Sequence, residues 1–286
     1  MKNVLLKSPA KVNLFLKIGN KIKSKKYHNI QSLIFPINLN DEISISETNK
    51  TKDIVKFTGK FKGNIKNKNN SVSNSIFLLR KNNIIDKKIR YKIIVKKNIP
   101  VFSGLGGGSS NAATIINYFM KNRKISKNEI KSFSKFLGSD FRVFLKGKKT
   151  FQESFSKIYD LKLNFNFYLL IIYPFLKCST KEIYSKFKKY EFIQKNKQYK
   201  KISKLDLVNK LKLENNSLEN IIISKFPIVD NILEELESIK KCEFSRVTGS
   251  GSACFALFLN KNDGATALKR IKKRFPRFWS RLCKTI

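Results

Sequence analysis

Alternating and helical patterns of apolar residues predict a mixed structure of helices and strands. Strand-like alternation or short buried runs occur at residues 4–18, 30–36, 42–47, 91–95 and 165–174. The polar segment 47–73, rich in Lys and Asn, is predicted to form a hairpin and loop. A glycine turn within 246–258 leads into a further strand.

Helical spacing predicts the remaining elements. In the first half, helices are predicted around 73–83 with Ser73 as N-cap, along the apolar face from Ala112 to Met120, and after the capping box Ser126–Glu129. In the second half, a short helix is predicted after the capping box Ser179–Glu182, followed by two helices within 217–240 that break near Pro227 and a basic helix at 263–275. Gly138 is predicted to end its helix in a left-handed cap. Residues 185–212 are Lys-rich and polar and are predicted to form a surface helix or loop.

The order of these elements predicts an α+β protein without internal repeats. A chain of 286 residues is long enough for one large or two moderate domains. A second half of the chain begins near residue 150, and we predict an N-terminal domain at 1–150 and a C-terminal domain at 151–286.

Composition favours a folded, cytoplasmic protein. Hydrophobic residues make up 41% of the chain, which is enough for a core and argues against global disorder. No apolar run has the length of a membrane span, and the apolar stretch within residues 1–7 is too short for a signal peptide. We therefore expect no membrane association.

The net charge of +40 would attract anions, including nucleic acids. The basic residues are spread along nearly the whole chain and are mostly Lys, which is typical of a compositional bias. The sequence contains no recognisable nucleic-acid module, so we expect no specific nucleic-acid partner. The positive field would also favour an anionic small-molecule substrate.

Cysteine and histidine usage argues against a zinc site in the protein. The four cysteines form no C-x-x-C pair, and the chain has one His. A disulfide framework is not expected at this size, so the cysteines are predicted to be buried, inert thiols.

The segment from Pro100 to Ala113 carries the clearest chemical signal. Its glycines precede Ser109 and Ser110 and a helical pattern, and a helix N-terminus offers N–H groups and a positive dipole end to a polyphosphate. The two serines can cap the helix, donate to phosphate oxygens or contact a metal. The segment lacks the Lys of a P-loop and the acidic residue of a dinucleotide fingerprint. A plain turn between strand and helix is the alternative.

Three motifs together resemble the GHMP kinase superfamily. They are Ser8–Leu16, the glycine loop with its two serines, and Thr248–Ala256; Tyr27–Leu33 and Leu137–Asp140, which precedes an apolar segment expected to be a strand, agree with them. The resemblance implies a two-lobed fold with the ATP site between the lobes. It also implies Mg²⁺-dependent transfer of the γ-phosphoryl group of ATP to a hydroxyl of the small molecule 4-diphosphocytidyl-2-C-methyl-D-erythritol.

The resemblance implies catalytic roles for Lys11 and Asp140. A carboxylate can accept the proton of the attacking hydroxyl, and a nearby ammonium favours its ionised form and stabilises developing negative charge. The alternatives are a helix-end cap for Asp140 and a solvated strand lysine for Lys11.

The resemblance also implies binding roles for three groups of residues. The ATP loop would comprise Pro100, Val101, Phe102, Ser103, Gly104, Leu105, Gly106, Gly107, Gly108, Ser109 and Ser110. Tyr27 and His28 would lie at the cytidine end of the substrate, and Asn13 would support the substrate beside Lys11. Thr180 would border the same pocket, or else serve as the N-cap of its helix.

Four positions depart from the family pattern. They are Lys25–Lys26 before the Tyr-His pair, Phe102–Ser103 at usual glycine positions, Ile34 at an aromatic position, and Phe141–Arg142 after Asp140. Two other functions therefore stay open: a superfamily kinase for homoserine or mevalonate, or a basic anion-binding protein with weakened catalysis. We expect a monomer or a weak homodimer.

Overall fold

The protein is described by a computed structural model that covers residues 3–21, 28–121, 123–138, 140–154, 157–191, 193, 199 and 201–286. The chain forms two compact units. The first unit comprises Met1–Ala10, Leu39–Val101 and Gly106–Gly147, and the second comprises Lys11–Asn38, Phe102–Leu105 and Lys148–Ile286. Both units are discontinuous because the first two strands are long and each contributes residues to both.

The first unit contains the beginning of β1 (Val4–Lys21), the end of β2 (His28–Thr48), β3 (Ile54–Thr58) and β4 (Arg90–Lys96). Its helices are α1 (Ser71–Lys81), α2 (Gly107–Phe119), α3 (Lys127–Leu137) and α4 (Phe141–Phe144). Strand β4 lies between β2, which it pairs in antiparallel fashion, and β3, which it pairs in parallel.

The core of the first unit is built from one face of this sheet and the apolar faces of its helices. Ile43, Ile93 and Val95 on the strands pack in one cluster with Ile115 and Ile116 of α2. Fully burying side chains of this size stabilises the fold by about 1.5–3 kcal/mol each. The core fixes the start of α2 relative to the end of β4.

The second unit contains the rest of β1 and β2 with β5 (Thr150–Gln152), β6 (Ile158–Asp160), β7 (Tyr168–Tyr173), β8 (Phe244–Val247), β9 (Cys254–Phe258) and β10 (Trp279–Lys284). Its helices are α5 (Thr180–Ser185), α6 (Lys204–Lys212), α7 (Glu219–Lys225), α8 (Ile228–Glu237) and α9 (Lys261–Arg274). Strand β2 pairs with β5, and β5 with β6.

Four strands of the second unit form a separate antiparallel sheet in the order β10-β7-β9-β8. Every residue of β9 is buried, which explains its uninterrupted apolar run. Side chains of α8 and α9, including Ile232 and Ile271, pack with Leu170 and Ala256 of the sheet. Strand β8 lies at the edge, so its outward backbone groups need partners other than a strand.

Locally coded helix ends agree with the sequence. Ser126 and Glu129 form the predicted capping box, and the break near Pro227 separates α7 from α8. Gly138 has the expected positive φ of 94°, although its ψ of 161° is outside the left-handed helical region. Ser179 is the N-cap of α5, while the carboxylate of Glu182 pairs with Lys225.

The strand pattern predicted at residues 30–36 and 42–47 is confirmed, and the two segments form one strand because Pro36 and its neighbours continue β2. Other predicted elements were wrong for identifiable reasons. Ser73 is not the N-cap of α1: Asn70 accepts hydrogen bonds from the Val72 and Ser73 N–H groups, so the helix begins earlier. The segment 47–73 contains β3, whose partner is β4 and not β2, so no β2-β3 hairpin exists among the described strands.

The apolar run after Asp140 is helical, as α4, and is not the expected strand. The run Phe141–Leu145 is too short for its apolar pattern to separate a helix from a strand. The predicted domain boundary at 150 lies near the break between Gly147 and Lys148. Residues 11–38 and 102–105 nevertheless pack with the second unit. Among the described helices, none combines the length and apolar character that a membrane span requires.

Candidate active site

The N-terminus of α2 lies in the first unit and has no side-chain cap. Gly106 is the N-cap residue, with φ 73° and ψ 15°, a left-handed conformation that glycine adopts without strain. Because glycine has no side chain that could accept hydrogen bonds, the N–H groups of the first turn of α2 point toward the space beyond the helix N-terminus. This arrangement suits an anion.

A buried ion pair lies beneath this first turn. A Cβ atom on Gly107 would lie 3.1 Å from Lys97 Nζ and 3.1 Å from Ile99 Cγ2. Lys97 Nζ donates to Asp41, whose other oxygen accepts from the N–H groups of Asn98 at 2.8 Å and Ile99 at 2.9 Å. Burial lowers the pKa of Lys97, and Asp41 opposes that shift. The pair fixes the backbone on which Gly107 rests.

The two predicted serines are inside α2 and do not cap it. Ser110 is buried and accepts a hydrogen bond from Ser8 Oγ at 2.8 Å. Ser109 Oγ donates to the Leu137 carbonyl at 3.3 Å, and a Cβ on Gly138 would lie 3.3 Å from the same hydroxyl. These contacts bring the end of α3 against the start of α2.

Asp140 follows this junction in the first unit, two residues after Gly138. It occupies the N-cap position of α4, but in this described turn its side chain makes no capping hydrogen bond. A helix-end cap is therefore not the role of its carboxylate. The residue is half-buried.

Lys11 lies in the second unit and is not a solvated strand lysine. Its side chain is 3% exposed, and Nζ donates to Asn13 Oδ1 and, at 2.7 Å, to the Gly104 carbonyl. Asn13 is also buried: its backbone N–H donates to Thr248 Oγ1 at 3.0 Å and its Nδ2 to Ser32 Oγ at 2.8 Å. Lys11, Asn13 and Gly104 therefore form one hydrogen-bonded cluster.

A second glycine turn, Thr248–Ser252, packs against this cluster. A Cβ on Gly249 would lie 3.1 Å from Asn13 Oδ1 and 3.2 Å from Lys11 Nζ. A Cβ on Gly104 would lie only 2.1 Å from the Thr248 carbonyl oxygen, a distance that no residue with a side chain could accept. Gly104 and Gly249 both have positive φ. Glycine is required at Gly104 because its backbone packs directly against the backbone of Thr248, which leaves no room for a side chain.

The remaining residues of the predicted ATP loop have mixed environments. Pro100 and Leu105 are buried, and Val101 is half-buried. Ser103 is buried, and its carbonyl accepts from the Ala253 N–H at 3.1 Å. Phe102 is 57% exposed and has a φ of 56°, a left-handed conformation that is unusual for an aromatic residue and that glycine would adopt without strain.

The predicted substrate residues of the second unit lie in two places. The His28 ring stacks on Tyr190 with 5.5 Å between centroids and is tilted against Tyr184 at 6.2 Å. Thr180 Oγ1 is hydrogen-bonded to Ser250 Oγ at 2.9 Å, so Thr180 contacts the second glycine turn. The N-cap of its helix is Ser179 and not Thr180. Tyr27 and Lys25–Lys26 lie outside the described residues.

The cysteines are unsuited to nucleophilic chemistry. Burial raises the pKa of Cys178 to about 11 and those of Cys242 and Cys283 to about 12, and it also raises that of Cys254. Within the part of the chain that the structure describes, no three His, Cys, Asp or Glu side chains form a group that could hold a metal ion.

Several residues at the site were missed in the sequence. Asp41 and Lys97 form the floor under α2, and Ser32 supports Asn13. The available signal for Asp41 was weak, because it is an acidic residue next to Glu42 between the apolar residues Leu39 and Ile43. Tyr184 and Tyr190 supply aromatic rings beside His28, although the position of Ile34 is aliphatic. No local pattern identifies such distant partners.

Two family models match the chain. The GHMP kinases N terminal domain matches residues 70–145, which include the glycine loop and Asp140. The GHMP kinases C terminal model matches residues 197–277, which include the second glycine turn.

Curated relatives match over nearly their whole length. A 4-diphosphocytidyl-2-C-methyl-D-erythritol kinase of Pelagibacter ubique is 34% identical over 100% of both chains. The proteins of that name from Wolbachia of Brugia malayi and from Buchnera aphidicola of Schizaphis graminum are 31% and 36% identical. The Wolbachia protein aligns over 98% of this chain and 97% of its own length, and the Buchnera protein over 89% and 84%.

Solved structures share the fold at lower identity. A crystal structure of 4-(cytidine 5'-diphospho)-2C-methyl-D-erythritol kinase aligns with a TM-score of 0.72 and 20% identity over 99% of this chain and 100% of its own. Homoserine kinase from Cytophaga hutchinsonii aligns with a TM-score of 0.71 and 18% identity over 100% and 95%. The α+β fold expected from the sequence is confirmed.

Proposed function

We propose that this chain, which belongs to the GHMP kinase family, transfers the γ-phosphoryl group of ATP to the 2-hydroxyl of 4-diphosphocytidyl-2-C-methyl-D-erythritol. The product is the 2-phosphate, and the reaction belongs to the non-mevalonate route to isoprenoid precursors. The observation that carries this proposal is 34% identity, over the whole of both chains, to a relative named for that reaction.

The N-terminal turn of α2 supports binding of the ATP phosphates. Its first-turn N–H groups have no side-chain cap, and the dipole of the 13-residue helix favours negative charge at this end. The glycines there keep side chains away from the helix N-terminus, so phosphate oxygens can reach the backbone. We assign residues 100–110 to nucleotide binding.

Asp140 and Lys11 have complementary roles in the proposed reaction. Asp140 accepts the proton of the substrate hydroxyl as the hydroxyl attacks, because a carboxylate can act as the general base in phosphoryl transfer. Lys11 supplies a positive charge that stabilises negative charge in the transition state. Its donors to Asn13 and Gly104 hold the ammonium group in one orientation.

Mg²⁺ neutralises charge on the phosphates when it is bound. Because the described residues hold no cluster of three metal-binding side chains, the ion would be held mainly by phosphate oxygens and water, as Mg²⁺ commonly is. The candidate oxygen ligands of the protein are the Ser109 hydroxyl and the Asp140 carboxylate.

The cytidine end of the substrate is assigned to His28 and its aromatic neighbours. The ring nitrogens of His28 can read the edge of a base, and the rings of Tyr184 and Tyr190 offer flat surfaces for stacking. We assign Tyr27 to the same end from its position beside His28 in the sequence. Asn13 supports the substrate beside Lys11, and Thr180 borders its pocket.

Another small-molecule kinase of the family is the second candidate, because homoserine kinase matches the fold almost equally well. Phosphoryl transfer from ATP to 4-diphosphocytidyl-2-C-methyl-D-erythritol, homoserine and mevalonate would decide between them. We expect efficient transfer to the first compound alone. Efficient transfer to either of the others would contradict the proposal, and salt-sensitive nucleic-acid binding without transfer would favour a binding protein that has lost its chemistry.

A further inference from the structure

Asn216 and Glu219 hold the second glycine turn from outside the sheet, at the start of α7. Asn216 is 4% exposed, and its Nδ2 donates to the Val247 carbonyl at 2.8 Å and the Gly249 carbonyl at 2.9 Å. Glu219 Oε2 accepts from the Val247 N–H at 2.6 Å. Two side chains therefore satisfy three backbone groups of residues 247–249.

The need for these contacts follows from the topology. Strand β8 is the edge of its sheet, so the groups of Val247 that point away from β9 have no neighbouring strand. Asn216 and Glu219 take the place of that strand. Asn216 is itself fixed, since its Oδ1 accepts from the Leu218 N–H at 3.0 Å and its carbonyl from the Glu219 N–H at 2.8 Å.

The turn that Asn216 and Glu219 hold packs against the hydrogen-bonded cluster around Lys11. Gly249 packs against Asn13 Oδ1 and Lys11 Nζ, and the Thr248 hydroxyl accepts from the Asn13 N–H. A displacement of residues 247–249 would therefore release the groups that orient the ammonium. Misplacement of a reacting group by about 1 Å can lower a rate by about 100-fold.

We propose that Asn216 and Glu219 are positioning residues that hold Lys11 in its buried orientation through the Thr248–Gly249 backbone. The link to catalysis rests on the function proposed above for Lys11. The geometric part of the proposal does not, so it can be tested without turnover.

The test measures how well individual lysines are protected from acylation. A short pulse of the acetyl ester of N-hydroxysuccinimide is followed by peptide mass spectrometry of the full chain. Asn216→Asp has the same size but replaces the donor with an acceptor that repels both carbonyls. Glu219→Ala removes the acceptor of Val247, and Glu219→Gln keeps one. Ser217→Ala is the matched control, because Ser217 contacts Leu16 and Ile18 of β1.

We expect acylation of Lys11 to rise about 10-fold or more in Asn216→Asp and Glu219→Ala, through local opening of the turn. Glu219→Gln should restore most of the protection, and Ser217→Ala should retain it. Lys149 and Lys97 are buried in the second and first units and report general loosening. Their labelling should not change.

Unchanged protection of Lys11 in both disruptive variants would overturn the proposal. So would a parallel rise at Lys149, because the clamp would then be a general stabiliser of the unit. If Glu219→Ala does not fold, Asn216→Asp and the comparison of Glu219→Gln with wild type decide. In steady-state kinetics, Asn216→Asp and Glu219→Ala should lower kcat by about 10- to 100-fold and leave the KM for both substrates nearly unchanged. An inactive wild type would count against the function but leave the labelling result valid.

Discussion

Two glycine turns of similar composition do different work in this protein. The turn that ends at Gly106 opens onto α2 and directs N–H groups outward from an uncapped helix. The turn at Thr248–Ser252 leads into β9 and is held by the protein itself: Gly104 packs against its Thr248 carbonyl, Asn216 donates to its Gly249 carbonyl, and Glu219 accepts from the N–H of the preceding Val247. The first turn can bind an anion, whereas the second is a support.

The difference shows that glycine content alone does not identify a phosphate site. A helix must follow the turn, because only aligned peptide groups leave several N–H donors pointing the same way. Where a strand follows, glycines instead permit close packing, as at Gly249 beside Lys11. The following predictions test this contrast in order of expected effect.

Gly104→Ala should cause the largest loss of stability. Its Cβ would meet the Thr248 carbonyl oxygen at 2.1 Å, and its φ is 78°. Backbone strain and overpacking each cost about 1–3 kcal/mol, so we expect the free energy of unfolding, measured in urea, to fall by about 2–6 kcal/mol.

Gly147→Ala is the matched control for this substitution. It has a φ of 59° but no atom within 4 Å of its Cβ position, so it should show the strain alone. Equal losses in the two variants would contradict the close packing of Gly104 on the second turn.

Asp41→Asn tests the floor under the first turn. Asn can still accept from a backbone N–H, but the buried charge of Lys97 loses its counter-charge. We expect a loss of about 2–3 kcal/mol, typical of a hydrogen bond to a charged group, and weaker ATP binding by calorimetry. Glu42→Gln, at the exposed pair with Lys96, should change stability by less than about 1 kcal/mol. Unaltered ATP affinity in Asp41→Asn would show that the Asp41–Lys97 ion pair does not support nucleotide binding.

Phe102→Gly should increase stability by about 1 kcal/mol. The residue has a φ of 56° and is more than half exposed, so glycine relieves strain and gives up little burial. Phe175→Gly relieves a similar φ of 60° but loses the ring contact with Tyr173, so its gain should be smaller. Urea unfolding of both variants checks this ranking, which a destabilised Phe102→Gly protein would refute.

Alkylation of the cysteines should have the smallest effect. Because burial raises the pKa of Cys178 to about 11, and those of Cys242 and Cys283 to about 12, these thiols stay protonated at pH 8 and react slowly. Kinase activity should survive iodoacetamide at that pH. Rapid modification with loss of activity would show that a thiol is accessible near the site.

The sequence predicted those features that depend on neighbouring residues. The capping box at Ser126 and the break at Pro227 are local signals, and the glycines before α2 mark its start. The N-cap of α1 was misplaced because both Asn70 and Ser73 are good caps and take part in the same box. Strand β3 was missed because its five residues lie within the largely polar segment 47–73 and gain their order from pairing with β4.

The site could be predicted only in part for a similar reason. The family motifs identify Lys11 and Asn13, but their burial depends on Gly104, Ser32 and Thr248, which are distant in sequence. The clamp on Val247 likewise requires that β8 be an edge strand, which no local pattern reveals. Tertiary contacts decide such features, and single-sequence patterns do not contain them.

The most direct test is single-turnover transfer of phosphate from ATP to 4-diphosphocytidyl-2-C-methyl-D-erythritol by the wild type and by Asp140→Asn. We expect the wild type to form the 2-phosphate, and the variant to bind ATP with similar affinity but to form product at least about 100-fold more slowly, since general base catalysis contributes that much. Equal rates for the two proteins would contradict the role of Asp140. A folded wild type that binds ATP but forms no product would contradict the proposed function.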